Sequence, residues 1–430
     1  MSRSYRKIIR NRKRRIERRL DPKKAWSNQP KPMMTASNIH YEMSEKTRAI
    51  NCGGIGAIHT MVNKIGLREE IDSRVHLLKR HLPYHESDHV LNLAYNAMLD
   101  GVRLQDIELR RNDEGFLDGL GAQRIPDPTT SGDFTRRFSE SDIVTLMDAI
   151  NATRQRVWRQ QGSEFLSEAF IDVDGTITGT GGECKGGMSL SYKGIWGYAP
   201  LVVSLANTNE VLYLVNRPGN VTSHDGCVTW IDRAIEVVAP HAGQITLRGD
   251  TDFTVTGELD RWHKNGHQFI FGMDAHPKVV GLAEALAEQV WKPLERLPRY
   301  EITNRRKDAA EKIVGLANGR CNQENVIEQL KNGVNAMRMP VNDLLSNWAY
   351  MVMTALAWNL KAWFALLLPE VKRGEEILKM EFRRFLHCLI LIPAQIVRAG
   401  RRIIYRLLCY NSWVPDLFRA WESLRRLQVA

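Results

Sequence analysis

FIDVDGTI, Phe170–Ile177, brings a short apolar run to an end with two carboxylates. The run predicts a buried β-strand. Residues two apart in a strand share a face, so Asp172 and Asp174 point the same way and Val173 the other. GQITLRGDTDF predicts a second strand, with Asp250 and Asp252 at its end in the same spacing. Carboxylates at the C-terminal tips of strands in an open α/β sheet lie where such folds hold their sites. Clustered acids repel one another unless a cation sits between them, so an oxygen-ligated ion such as Mg²⁺ suits the set.

The flanking pattern extends this to an architecture. GYAPLVVSLAN and EVLYLVNRPGN, joined by the turn-like NTNE, predict antiparallel strands. SHDGCVTWIDRAIEVVA is helical, ELDRWHKNG is a helix and HQFIFGM a further strand. Three strands, a helix, then alternating strand and helix define an α/β fold with a mixed five-stranded sheet flanked by helices. Upstream, residues 37–164 read as an all-helical domain for DNA binding or dimerisation. Within it, HVLNLAYNAML is strongly apolar, and SESDIVTLMDAINATRQRVW opens on cap-type Ser and Asp. Residues 165–273 hold the first part of the catalytic domain and 274–317 an insertion, in which LPRYEITNRRKDA reads as loop. Residues 318–370 supply two helices, and 371–430 form a basic helical extension with clusters such as RAGRRIIYRLL.

The chain of 430 residues carries a formal net charge of +11, which favours a polyanionic partner. The first 24 residues are half lysine and arginine. They begin an arm, residues 1–36, whose Arg6, Lys7, Arg10, Arg14 and Arg15 are candidates for neutralising DNA phosphates. SNQPKP then reads as a linker. Six scattered cysteines without a C-x-x-C pair indicate neither a zinc site nor a disulfide framework, and suit a reducing cytoplasm. WAYMVMTALAWNLKAWFALLL, Trp348–Leu368, is long enough to span a bilayer. A central lysine such as Lys361 costs roughly 2.5–3.5 kcal/mol in lipid, so the segment is expected to be a core helix and no membrane partner is expected.

Two chemistries compete for the acids. D-x-D-G-T also opens haloacid-dehalogenase-type phosphatases, where Asp172 would be the nucleophile. That reading needs a lysine shortly before the last acidic pair, yet between Thr176 and Asp250 the only lysines are Lys185 and Lys193, both near the first motif. DNA cleavage needs instead a third carboxylate on a later helix. In GRCNQENVIEQLKNG, Arg320, Glu324 and Lys331 fall in the spacing R-x3-E-x6-K. On a regular helix they project along one stripe, with Val326 and Leu330 opposite.

With these motifs in order, the chain resembles the bacterial insertion-sequence transposases of the DDE type, most closely the thirteen-eighty family. DVDGT, SYKGIWGYAPLV, VNRPGN, LRGDTDF and ENVIEQLK carry the resemblance, with IPDPTTSGDFTRRF upstream. It implies an RNase H-like core and Asp174, Asp250 and Glu324 as catalytic metal ligands, with Asp172 and Asp252 as fallback acids. It implies two Mg²⁺ ions, with Mn²⁺ as a substitute, and Arg320 and Lys331 as DNA contacts. The partners it implies are transposon ends and target DNA, met by a homodimer or larger assembly in the bacterial cytoplasm. The tyrosine position of the family's Y-x2-R-x3-E-x6-K signature is Ala317. The remaining alternative, a transposase-derived DNA-binding protein without activity, has no use for an intact acidic triad.

Overall fold

A computed structural model describes residues 3–21, 33–182, 185–291 and 300–427. The linker at 27–32 lies outside the described residues. At the centre stands a mixed six-stranded sheet built from β1 (Glu168–Gly175), β2 (Leu201–Leu205), β3 (Glu210–Val215), β4 (Gln244–Gly249), β5 (Gln268–Met273) and β6 (Tyr300–Thr303), in the order β6-β5-β4-β1-β2-β3. β1 runs parallel to β4 and antiparallel to β2. The sheet thus has one strand more than the five expected. β6 comes from the segment read as loop, pairing antiparallel with β5 from Tyr300↔Met273 to Thr303↔Ile270. Four half-buried residues at a sheet edge carry too little alternation to announce a strand.

Five helices bear on the site and the core beneath it: α1 (Arg3–Arg19), α2 (Glu140–Trp158), α3 (Cys321–Glu328), α4 (Leu344–Leu366) and α5 (Val414–Arg426). α2 starts where the sequence places a cap: Ser139 and Asp142 exchange side-chain and backbone hydrogen bonds in a capping box. α4 begins at Asp343, whose carboxylate accepts from the Ser346 amide at 2.8 Å. Nearly every residue of α4 is buried, against helix Glu86–Met98, α2 and β3. Among the described residues no helix is long and apolar enough to cross a membrane.

Buried polar groups tie these layers together. The Glu210 carboxylate, fully buried, accepts from Arg154 Nε (2.9 Å) and Trp158 Nε1 (2.9 Å) on α2, from Trp363 Nε1 (2.7 Å) on α4, and from Thr208 Oγ1 (2.6 Å). Four donors on one buried charge repay its desolvation. One apolar cluster runs from Ile50 to Leu424. The C-terminal region adds a β-hairpin to its helices, Ala394–Ala399 with Arg402–Leu407, which pairs with Ala49–Ile50 in a small sheet. Gly400, at φ 60, makes the turn. Arginines interrupt the β-branched residues there, which is why the segment looks helical by composition.

Candidate active site

The parallel register of β1 and β4 decides where the acids lie. Val173 stands opposite Gly249, so Asp174 and Asp250 emerge side by side from neighbouring strands, which run about 4.8 Å apart. Asp174 Oδ1 accepts from the Gly175 amide at 2.7 Å, and Asp250 Oδ1 from the Asp252 amide at 3.0 Å. Burial, and then the charge of Asp250, push the Asp174 carboxyl up to about 6; Arg320 opposes the shift and Glu324 adds to it. Asp250 is also raised, mainly by burial, with Arg320 opposing and Asp252 reinforcing. A half-buried acid pair that resists losing its protons is one that a divalent cation would neutralise.

Glu324 is brought in by its neighbour. Gln323, buried on α3, donates to the Val202 carbonyl at 3.0 Å and accepts from Ser204 Oγ. Val202 is the β2 partner of Asp174, and Ser204 that of Asp172. One amide side chain therefore fastens α3 across from both aspartates, leaving Glu324 exposed beside them. Among the described residues, the one group with three potential ligand atoms within 4.8 Å of one another is His81, His85 and Glu86. Asp174, Asp250 and Glu324 do not close to that distance, although the charges of Asp250 and Glu324 both act on Asp174. Three hard oxygen donors suit divalent cations such as Mg²⁺.

The other expected residues take different places. Asp172 is buried under a bidentate pair with Arg248, at 2.6 and 2.8 Å, so neither oxygen is open to an ion. Arg248 Nη1 also donates to Leu316 O (2.8 Å), and a Cβ on Gly319 would come within 2.6 Å of that nitrogen, so the helix ending at Gly319 seats directly on the pair. Asp252 is exposed and accepts from Ser223 Oγ at 2.9 Å. Arg320 is buried and points inward, its Nη1 3.8 Å from Asp174 Oδ2. Lys331 donates to Thr176 Oγ1 (2.6 Å) and the Ile177 carbonyl (3.2 Å), holding the loop that follows Asp174. The expected single stripe is broken because α3 passes at Gln329–Gly333 into a π-turn, which rotates Lys331 off the line of Arg320 and Glu324. Arg6, Lys7, Arg10, Arg14 and Arg15 are exposed on α1, which Arg12 anchors to the Leu407 carbonyl at 2.7 Å.

Sequence reasoning misses Arg248 and Tyr300. Tyr300, on β6, lines a cavity of about 300 Å³ together with Ala317, Arg320 and Asp250. Tyr300 thus shares this cavity with Ala317, on a strand that only the register of β5 and β6 reveals.

A family model described as transposase DDE domain group 1 matches residues 47–297 and 286–429. None of the curated proteins matches the chain. Among solved structures, it is similar to the chain in a cryo-EM structure of a piggyBac transposase synaptic complex with hairpin DNA, at 11% identity over 80% of this chain and 85% of that one, with a TM-score of 0.37.

Proposed function

Because the chain belongs to the transposase DDE domain group 1 family, we propose that it binds the ends of a mobile DNA element, cleaves them and joins the freed 3′-OH to target DNA. Asp174, Asp250 and Glu324 are the ligands of two divalent ions, Mg²⁺ or in its place Mn²⁺. Such ions would supply an activated water and charge stabilisation for the leaving 3′ oxygen, with the three carboxylates holding them. The carboxylates serve as ligands rather than nucleophiles, so no covalent protein intermediate forms. Arg320, close to Asp174, holds the cluster together before ions arrive, and Lys331 keeps the loop after β1 in its place. Asp172 is reserved for structure by Arg248, which leaves the phosphatase reading without its nucleophile.

Support comes above all from the register that sets Asp174 against Asp250, with Gln323 fixing α3 opposite them. The exposed cations of α1 supply an electrostatic hold on duplex DNA. Engaging two ends at once calls for at least a dimer, working in the cytoplasm beside the nucleoid. The test is incubation of wild type and Asp174→Asn with DNA carrying the element's ends and Mg²⁺. Wild type should give nicked and joined products, and the variant should bind the same DNA without cutting it. A variant that cuts at near wild-type rate overturns this site; wild type that binds but never nicks marks an inert descendant.

A further inference from the structure

Between Asp174 and β2 the chain makes a small three-stranded ribbon from Thr178–Gly179, Ser189–Leu190 and Trp196–Tyr198. Its tip, SLSYKGIW, carries four large apolar side chains in the open: Leu190 is 48% exposed, Tyr192 78%, Ile195 41% and Trp196 57%. Such a concentration of exposed apolar surface marks an interaction site.

The tip is held rigidly. The Ser191 amide donates to the Ile195 carbonyl at 2.9 Å, the Ile195 amide donates to Ser191 Oγ at 3.1 Å, and Gly194 turns the chain at φ 72. Below it, buried Tyr198 donates to the Gly186 carbonyl at 2.9 Å, and the Gly186 amide donates to the Asn342 carbonyl at 2.7 Å. Two aromatic rings are therefore presented to solvent from a pinned base.

Charge and position identify what they meet. The tip contains a lysine and no acid, and Lys193 Nζ sits 5.4 Å from the Tyr192 ring centroid. The ribbon's first strand, Thr178–Gly179, begins four residues past Asp174, and Lys331 holds its root through Thr176 Oγ1 and the Ile177 carbonyl. The ribbon thus adjoins the mouth of the acidic cleft with one cation and two rings facing outward. A cation and a stacking surface together match a nucleotide, its phosphate and its base.

We propose that Trp196 and Tyr192 are a stacking platform for a nucleobase unpaired from the DNA end next to the cleaved phosphate, with Lys193 holding that nucleotide's own phosphate. This rests on the reading of the acidic cleft as the DNA-cutting site. Unpairing a base costs a few kcal/mol, and a stacking surface at the cleft returns part of that cost only to DNA already seated for cleavage.

The experiment compares binding of full-length wild type, Trp196→Ala and Trp196→Phe to two duplexes of one sequence, one blunt and one with mispaired terminal bases, by fluorescence anisotropy. Wild type should prefer the frayed end. Trp196→Ala should lose that preference by roughly 10- to 100-fold, the range for one base–aromatic stack, while its affinity for the blunt duplex stays within about two-fold. Trp196→Phe should keep most of the preference, which separates stacking from folding. Absence of a frayed-end preference in wild type, or its survival in Trp196→Ala, overturns the proposal. So does a drop in oligomer mass in Trp196→Ala with the preference intact, since the ribbon would then be an interface between copies. Asp174→Asn, run alongside, should keep the preference whether or not it cleaves, so the platform and the metal site fail separately.

Discussion

Asp172 and Asp174 share one face of β1 and hold different partners: Asp172 is locked to Arg248, and Asp174 looks toward Asp250 and Glu324. The shared face was legible from alternation. The choice between the two acids was not, because Arg248 comes alongside only through the pairing of β1 with β4, 76 residues away in sequence. Substitution should separate their roles. Asp172→Ala leaves a buried guanidinium without its partner and should cost about 3–5 kcal/mol of stability. Asp174→Asn relieves repulsion with Asp250 and should change stability by about 1 kcal/mol or less. Urea denaturation of the two variants checks this; equal losses would mean that Asp174 is structural too.

At the scale of elements, α4 and the cap of α2 were plain in the sequence, since a long apolar run and a Ser–Asp box are local signals. β6 and the C-terminal hairpin were not, because short edge strands draw their identity from partners. α4 also carries a titratable group across the core. Lys361 Nζ donates to the Leu378 and Met380 carbonyls and lies 3.7 Å from the Trp358 ring centroid. Burial nevertheless pushes its ammonium down to about 7 from 10.5. Between these values the unfolded chain binds a proton that the folded protein lacks. Stability therefore rises with pH across that window, and its loss on acidification is complete once pH falls through 7. Lys361→Met has no such proton. From pH 7 to 9 the stability difference should move in favour of wild type by up to about 1.4 kcal/mol per pH unit. Chemical denaturation of both proteins across that range decides it, and parallel pH profiles would mean that Lys361 stays charged in the fold.

For the whole molecule, the order of strand-like and helical segments was enough to anticipate a mixed sheet with helices around it. Where α3 sits relative to β1 and β4 required the register and the Gln323 bonds. If α1 and its neighbours neutralise six or more phosphates, affinity for duplex DNA should fall about 10³-fold or more between 50 and 200 mM salt. Replacing Arg6, Lys7, Arg10, Arg14 and Arg15 with glutamine should flatten that slope by several units, as read from binding isotherms; an unchanged slope would remove α1 from the interface. The central claim, that Asp174, Asp250 and Glu324 hold divalent ions together, is tested most directly by replacing Mg²⁺ with Fe²⁺ and adding ascorbate, so that hydroxyl radicals cut the polypeptide where the ion sits. Fragments should end near all three acids and disappear in Asp174→Asn or under excess Mg²⁺. Cuts confined to the neighbourhood of His81, His85 and Glu86, or none at the three acids, would contradict it.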